Sequence, residues 1–181
     1  MPKAREEPTP KSNAGPNTQL RADMLKGNAL NSAWRLSYIA NFFAVPFYLA
    51  LDHHLGISRG EYVILFCVAQ HPGTTAQDIV AASGRPKNSI SVAVAKLEHK
   101  RLIVRKRNKD DARRMELRAT AAGLSVYRKV VPLLKARERR MLAPLAASER
   151  RQFDALLLKV ANRVPDWQEP DLGSLAGARR I

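Results

Sequence analysis

Residues 84–123 read GRPKNSISVAVAKLEHKRLIVRKRNKDDARRMELRATAAG, and their pattern decides the fold. Apolar residues recur every three or four positions up to Leu97, which predicts a helix, and the apolar run at 102–104 then predicts a strand. Residues 108–112 form a charged turn, after which 115–118 alternate between apolar and polar as a second strand would. The stretch therefore predicts a helix followed by a β-hairpin.

This stretch is also strongly cationic. Between Lys96 and Arg114, nine residues are Lys or Arg and three are acids, which leaves a local charge of +6. The whole chain of 181 residues carries a charge of +15. Such an excess favours a polyanionic partner, either nucleic acid or an anionic membrane surface, while a basic surface kept for solubility is the alternative that composition leaves open. A cationic helix followed by a cationic hairpin suits the grooves and phosphates of duplex DNA.

The chain divides into five segments by composition and periodicity. Both ends are rich in proline and mixed charge, which predicts disorder, and the remainder is mostly of helical period. The predicted segments are a disordered tail at 1–17, an N-terminal helical region at 18–57, a helix–helix–hairpin module at 58–119, two C-terminal helices at 120–164 and a flexible tail at 165–181.

Local signals predict where several helices begin and end. Ser58 with Glu61 forms a capping-box signature, and Thr75 can cap a short helix that Gly84 ends. In the same way, Thr120 and Ser148 are predicted to cap the two C-terminal helices. A single N-terminal helix is expected over 18–51, kinked or interrupted near its end by Pro46.

Two short helices and a hairpin in this order describe a winged helix-turn-helix. The helix from Asn88 to Lys100 is the predicted recognition helix, and the hairpin is its wing. The N-terminal residues of such a helix usually meet base edges and phosphates in the major groove, and arginine suits a narrow minor groove. The predicted DNA contacts are Lys87, Asn88, Ser89, Ser91, Lys96, Arg105, Arg107, Lys109, Asp111, Arg113 and Arg114.

Some of these residues have a second interpretation. Asn88 and Ser89 could simply cap the recognition helix, although capping and phosphate contact are compatible. Asp111 is expected to orient the Arg113 guanidinium through a bidentate hydrogen bond, and the alternative is an ordinary acidic turn residue.

The motifs resemble those of the MarR family of bacterial transcriptional regulators. Residues 111–113 (Asp-Ala-Arg) and 120–123 (Thr-Ala-Ala-Gly) resemble the family's Asp-x-Arg wing and the following Leu-Thr-x-x-Gly. Residues 97–103 (Leu-Glu-His-Lys-Arg-Leu-Ile) are similar to its Leu-Glu-x-x-Gly-Leu-Val at the end of the recognition helix. The resemblance covers about residues 20–164.

Three departures from the family pattern affect the interpretation. Arg101 replaces the usual glycine after the recognition helix, and Ala119 replaces the leucine before Thr120. Val92 occupies a position where many members have an arginine, which shifts the expected base readout toward Ser89, Ser91 and the wing.

The resemblance implies a mainly α fold with a small β-hairpin, in which a winged helix-turn-helix is joined to a helical dimerisation region. It also implies a homodimer on a pseudo-palindromic double-stranded operator, acting as a repressor that a small aromatic acid or related effector releases. The N-terminal helix is rich in aromatics, which fits a dimer interface. The predicted effector contacts are Arg35, Tyr38, His53, His54 and Tyr62.

Other classes of function find little support in the sequence. No nucleophile–base set, phosphate loop or metal cluster occurs at an informative spacing, so no enzyme, cofactor or metal site is expected. Cys67 lies in an apolar segment and is expected to be a buried small hydrophobe rather than a redox sensor. The longest apolar run is too short for a membrane helix, so a cytoplasmic protein is expected. The alternatives are a DNA-architectural protein without sequence preference and a partner-binding winged helix that has lost DNA binding.

Overall fold

The computed structural model describes residues 16–108, 111, 113–167 and 169. The elements in these residues are α1 (Pro16–Lys26), α2 (Asn31–Leu55), α3 (Arg59–Gln70), α4 (Ala76–Ser83), α5 (Lys87–His99), β1 (Ile103–Arg107), β2 (Met115–Ala119), α6 (Ala121–Met141), α7 (Ala147–Ala161) and a single 3-10 turn at Val164–Asp166. This mainly helical order with one hairpin confirms the predicted fold class. The chain divides into two compact units, with the division between Tyr127 and Arg128. The predicted tails lie for the most part outside the described residues.

The boundaries of α3 and α4 follow their local capping signals. The Ser58 hydroxyl accepts the backbone N–H of Glu61, and the Glu61 carboxylate accepts the N–H of Ser58. Thr75 and Asp78 repeat this capping box at the start of α4. At the end of α4, Gly84 has a φ of 63°, in the left-handed region that glycine adopts without a steric penalty. These three boundary predictions are confirmed.

The predicted single N-terminal helix is two helices. Between α1 and α2, Asn28 Nδ2 donates to the Met24 carbonyl at 2.7 Å, and Asn28 Oδ1 accepts the N–H of Leu30 at 2.8 Å. A short amide side chain that bonds nearby backbone groups competes with helical hydrogen bonds, so the helix ends here. A kink or an interruption was predicted at Pro46, and the interruption is wrong because α2 continues past Pro46 to Leu55. Proline removes one N–H donor, and the other backbone hydrogen bonds of this 25-residue helix maintain it on both sides of Pro46.

The predicted cap at Ser148 is also wrong. α7 begins at Ala147, and the Glu149 carboxylate accepts the N–H of Ala146 at 2.7 Å. An acid in the first turn reaches back to a free N–H at the helix start and stabilises the N-terminal end of the dipole. α7 ends at Ala161, slightly earlier than predicted.

The core of the first unit lies where α3, α4 and α5 meet the hairpin. Burial of each large aliphatic side chain there contributes roughly 1.5–3 kcal/mol. On α5 the buried positions recur every three or four residues, so the opposite face of this helix is left to solvent. The buried core residues are Ile64, Leu65, Val68, Ile79, Ile90, Ala93, Val94, Leu97, Ile103 and Leu117.

The hairpin is bonded to the turn between α3 and α4. β1 and β2 pair antiparallel, with Ile103 opposite Ala119. The N–H of Leu117 donates to the Thr74 carbonyl at 2.9 Å, and the Leu117 carbonyl accepts the N–H of Gly73 at 3.1 Å. These backbone bonds fix the base of the wing against the helices of the module.

In the second unit, α7 leaves an apolar surface exposed. Within this unit Val130 of α6 is buried, whereas none of the 15 residues of α7 is. The large apolar side chains exposed on α7 are Leu156, Leu157, Leu158 and Val160.

Candidate nucleic-acid interface

The N-terminus of α5 presents its polar side chains to solvent. Pro86 occupies the cap position, and no side chain makes a capping hydrogen bond there. The interpretation of Asn88 and Ser89 as caps is therefore wrong, since both lie inside the first turn and are exposed. The Ser91 hydroxyl donates to the Lys87 carbonyl at 3.1 Å, which leaves its oxygen available as an acceptor. The predicted contacts on α5, all of which are exposed, are Lys87, Asn88, Ser89, Ser91 and Lys96.

The C-terminus of α5 ends in a Schellman motif with an arginine at its left-handed position. The N–H of Leu102 donates to the Leu97 carbonyl at 2.9 Å, and the N–H of Arg101 donates to the Glu98 carbonyl at 2.8 Å. Arg101 has a φ of 56°, which a residue with a Cβ adopts at a steric cost. The departure noted in the sequence, arginine in place of glycine, thus falls where glycine is the favoured residue.

Two ion pairs join the wing to the helices beside it. Arg105 Nε lies 3.0 Å from Glu98 Oε2 on α5, and Arg114 Nη2 lies 3.1 Å from Asp78 Oδ2 on α4. The Asp78 carboxylate also caps α4, and hydrogen bonds from the Thr75 backbone and hydroxyl, together with Arg114, hold its pKa below the usual value. Arg105 and Arg114, both predicted to contact DNA, are therefore engaged within the protein. Sequence reasoning did not identify Glu98 and Asp78 as their partners.

Asp111 has a different contact from the one predicted. Its Oδ1 accepts the backbone N–H of Arg113 at 3.0 Å, rather than a guanidinium N–H. Its own N–H donates to Asn108 Oδ1, also at 3.0 Å, and its carbonyl accepts the N–H of Arg114 at 2.9 Å. The side chain therefore shapes the turn at the wing tip, as short acidic residues often do, and the predicted bidentate pairing is wrong. Lys109 lies outside the described residues.

A second polar group braces the wing next to its tip, where β1 ends and β2 begins. Asn108 Nδ2 donates to Glu116 Oε1 at 2.5 Å, and Arg118 Nη2 donates to Glu116 Oε2 at 2.8 Å. Hydrogen bonds from Arg118 and then Asn108 hold the pKa of the Glu116 carboxyl below its usual value. Within the described part of the chain, Arg107 and Arg113 are exposed and neither pairs with a carboxylate. Of the predicted wing contacts that the structure describes, these two arginines are therefore the cations left available to a phosphate.

A partly buried ion pair anchors the C-terminus of α5 to the start of α3. Lys100 Nζ bonds the carboxylate of Glu61, whose side chain is 3% exposed, and donates to the Gly56 carbonyl at 2.5 Å. Burial alone would raise the pKa of Glu61, but hydrogen bonds from Lys100 and Ser58 outweigh it and hold that pKa below its usual value. The pair links α3 to the end of the recognition helix, and the bond to Gly56 adds the end of α2.

The five predicted effector residues do not form one site. Arg35 donates to the carbonyls of Leu25 and Lys26, both at 2.9 Å, so its guanidinium caps the end of α1. His53 and His54 are exposed. Tyr38 lines a cleft between α1 and α2.

Tyr62 is the one member of the set that is fully buried. Its hydroxyl has no hydrogen-bond partner among the described residues, and burial raises its pKa, with Tyr48 and Tyr127 adding to the effect. The ring centroids of Tyr48 and Tyr62 lie 6.1 Å apart. The Arg59 guanidinium lies 5.6 Å from the Tyr48 ring centroid. Arg85 Nε is also buried without a described partner. Sequence reasoning missed Tyr48, Arg59 and Arg85, which no local pattern marks.

The structure bears on three further sequence expectations. Burial raises the pKa of the Cys67 thiol, which disfavours the reactive thiolate at neutral pH. Among the described residues, no three His, Cys, Asp or Glu side chains are grouped so that they could hold a metal ion. Within the same part of the chain, no helix is both long enough and apolar enough to span a membrane.

Comparison with known proteins identifies the family of this module. Residues 55–114 match the model of the MarR family. An HTH-type transcriptional repressor of Mycobacterium tuberculosis is 24% identical over 108 residues, which cover 60% of this chain and 78% of that protein. The transcriptional regulator HosA of Escherichia coli is 24% identical over 106 residues, which cover 59% and 78% of the two chains.

Solved structures show the same fold. A MarR family regulator from Listeria monocytogenes, complexed with a 26mer DNA, aligns with a TM-score of 0.70 at 20% identity and covers 86% of this chain and 99% of that one. The transcriptional regulator SlyA aligns with a TM-score of 0.68 at 22% identity, covering 74% and 94%. These relatives are transcription regulators and not enzymes. Residues 55–114 of this chain are therefore similar to the MarR family of transcriptional regulators, and the chain shares the fold of the solved regulators.

Proposed function

We propose that this chain is a sequence-specific regulator whose recognition helix α5 enters the major groove while its wing reaches an adjacent minor groove. The observation that carries the proposal is the pair of ion pairs joining the hairpin to α4 and α5. They hold the wing in a defined place beside the recognition helix and leave Arg107 and Arg113 exposed. Arginine is the residue best suited to the negative potential of a narrow minor groove.

The regulator acts as a homodimer in this proposal. The regions 18–57 and 120–164 supply the dimerisation helices, because both expose large apolar side chains that a second copy would cover. A two-fold dimer would place two α5 helices about one DNA turn apart, roughly 34 Å, on a pseudo-palindromic site. The exposed side chains concerned include Trp34, Leu36, Ile39, Phe42, Leu49, Leu156, Leu157 and Val160.

Repression is the mode of action that we propose, since the Mycobacterium tuberculosis relative is named a repressor. A dimer seated on a promoter would exclude the transcription machinery from it. A regulator of this kind works beside the bacterial chromosome, in the cytoplasm.

The proposed effector is a small aromatic acid that binds beside Tyr62. The unpartnered Tyr62 hydroxyl and the Tyr48 ring supply a hydrogen-bond donor and an aromatic face, while Arg59 or Arg85 can pair with a carboxylate. These arginines replace Arg35, whose guanidinium already bonds α1. Because Arg85 directly precedes Pro86, the cap residue of the recognition helix, an anion bound there would act on the start of α5.

Salicylate and benzoate are suitable probes for this effector site. We expect either compound to lower the DNA affinity of the wild type, and Tyr62→Phe to weaken the response by removing one hydrogen bond. Tyr38→Phe is the matched control, because Tyr38 lies in the separate cleft between α1 and α2. An equal response from all three proteins would contradict this location of the site.

DNA footprinting on duplexes that the wild type selects from a random-sequence pool tests the proposed function as a whole. The wild type should protect a discrete two-fold site. Arg107→Ala and Arg113→Ala should each weaken binding and lower the slope of log affinity against log salt by about one where a phosphate contact is lost. Arg139→Ala removes an exposed arginine of α6 and serves as the control with the same change of charge.

The same experiment separates the two rival functions. Uniform coating of any duplex, with no preferred sequence, would support the DNA-architectural alternative. Unchanged affinity in both wing variants would contradict the proposed role of the hairpin.

A further inference from the structure

The exposed face of α5 carries an apolar side chain at its centre. Val92 is 57% exposed, more than any other large apolar residue among the described residues from 58 to 119. Ser89 and Lys96 lie three and four residues away on the same face, as helical geometry requires. With the core on the other side of the helix, Val92 points where the recognition helix would meet the bases.

Val92 lies at the edge of a shallow concavity with a cationic margin. The concavity is lined by Val92, Ala95, Lys96, His99 and Lys100. Its accessible lining is almost entirely apolar, and the Lys96 residue that contributes to it is exposed. A second exposed lysine, Lys87, begins the helix on its N-terminal side. An apolar spot between cations suits an apolar group that belongs to a polyanion, rather than an apolar protein surface.

Duplex DNA offers one such group in the major groove. Thymine alone among the four bases presents a C5 methyl there, whereas the remaining base-edge groups are hydrogen-bond donors or acceptors. The Val92 isopropyl group cannot donate or accept a hydrogen bond, so it cannot read guanine as an arginine would. Burial of a methyl group against it is favourable because apolar surface is removed from water.

We propose that Val92, together with Ala95, reads the methyl group of a thymine in each half-site. This inference rests on the proposed function and names the base that the recognition helix selects. Val92 stands where many family members have an arginine. In this chain the position would therefore determine specificity through an apolar contact with a methyl group and not through hydrogen bonds.

Deoxyuridine provides a direct test, because it differs from thymidine by the methyl group alone. A duplex containing the selected site is prepared with deoxyuridine replacing each thymidine in turn, and its affinity is measured by fluorescence anisotropy at fixed salt. We expect one position per half-site where the loss of the methyl weakens wild-type binding about fourfold, and about fifteenfold when both half-sites are changed.

Val92→Ala should lose affinity for the thymidine duplex and become insensitive to deoxyuridine at that position. Alanine is the better helix former, so this variant should fold, and circular dichroism checks that it does. Val104→Ala is the matched control, because Val104 is an exposed valine on β1 instead of α5, and it should keep the full sensitivity.

The outcomes distinguish this inference from the proposed function. If the wild type binds a discrete site but no deoxyuridine replacement weakens it, or if Val92→Ala keeps the sensitivity, the thymine inference is overturned and the regulator function stands. If the wild type selects no discrete site, both are overturned.

Discussion

Replacement of Arg101 by glycine should stabilise the protein, although it removes a charged residue beside the recognition helix. Arg101 holds a φ of 56° at the left-handed position of a Schellman motif, and the N–H groups of Arg101 and Leu102 bond back into α5. Its carbonyl accepts the Thr120 hydroxyl at 2.8 Å, so the surrounding structure keeps the backbone in this conformation.

The magnitude follows from two opposing terms. A residue with a Cβ in the left-handed region costs roughly 1–2 kcal/mol, and glycine removes this cost. Glycine has more conformational freedom in the unfolded chain, and this opposing effect lowers the free energy of unfolding by about 0.5–1 kcal/mol. The midpoints of the two ranges differ by about 0.75 kcal/mol, so we expect Arg101→Gly to raise the free energy of unfolding by about 0.5–1 kcal/mol. For a chain of this size, that corresponds to a rise of about 1–4 °C in Tm.

Thermal unfolding followed by circular dichroism, at one fixed protein concentration, measures the change. Arg101→Ala is the control, since it removes the same charge but keeps the Cβ and therefore the backbone cost. Stabilisation of the alanine variant by as much as the glycine variant would refute the backbone argument and assign the effect to charge. A glycine variant less stable than the wild type would refute it as well.

Two further changes test the packing around the same helix end. A Cβ on Gly123 would lie 2.1 Å from the Leu102 carbonyl oxygen. Gly123→Ala should therefore lower the free energy of unfolding by about 1–3 kcal/mol, although alanine has the better helix propensity. Equal stability of the variant and the wild type in urea denaturation would contradict this. Lys100→Met should lower the free energy of unfolding by about 2–3 kcal/mol at neutral pH, because it leaves the Glu61 carboxylate buried without its cation. Lys96 is an exposed lysine of the same helix, so the control Lys96→Met should change the free energy of unfolding little. Because the pKa of Glu61 is lowered in the folded state, the ionised carboxylate stabilises the fold above its usual pKa of 4.5, and this stabilisation is lost as pH falls through the folded pKa. The loss of stability caused by Lys100→Met should therefore become smaller below about pH 4.5, as measured by urea denaturation at a series of pH values. A loss of stability that is constant with pH would exclude the ion pair as its cause.

Two of the errors made from sequence concern hydrogen bonds that the local pattern leaves open. Asp111 was expected to bond a guanidinium, but an aspartate two residues before an arginine reaches its backbone N–H just as well, and the turn geometry selected that donor. Ser148 was expected to cap α7, but Glu149 reaches the free N–H instead. In both places several donors or acceptors compete within a few residues, and the backbone conformation decides among them.

The sequence by itself determined most of the elements from α3 to β2 and the resemblance to the MarR family, because the signals for them act over short distances. Ser58 with Glu61 and Thr75 with Asp78 satisfy N–H groups three residues away, and the buried face of α5 is readable from its apolar spacing. Such information survives in any context that lets the helix form.

Only the tertiary structure decided how the candidate DNA surface is held together. Arg114 and Asp78 are 36 positions apart, and Lys100 and Glu61 are 39 apart, so no periodicity connects them. The cost of the backbone conformation at Arg101 likewise became visible only once the chain beyond α5 was placed. Charged side chains have many potential partners in a sequence with 31 Lys and Arg and 16 acids, and folding chooses among them by bringing a few within hydrogen-bond distance.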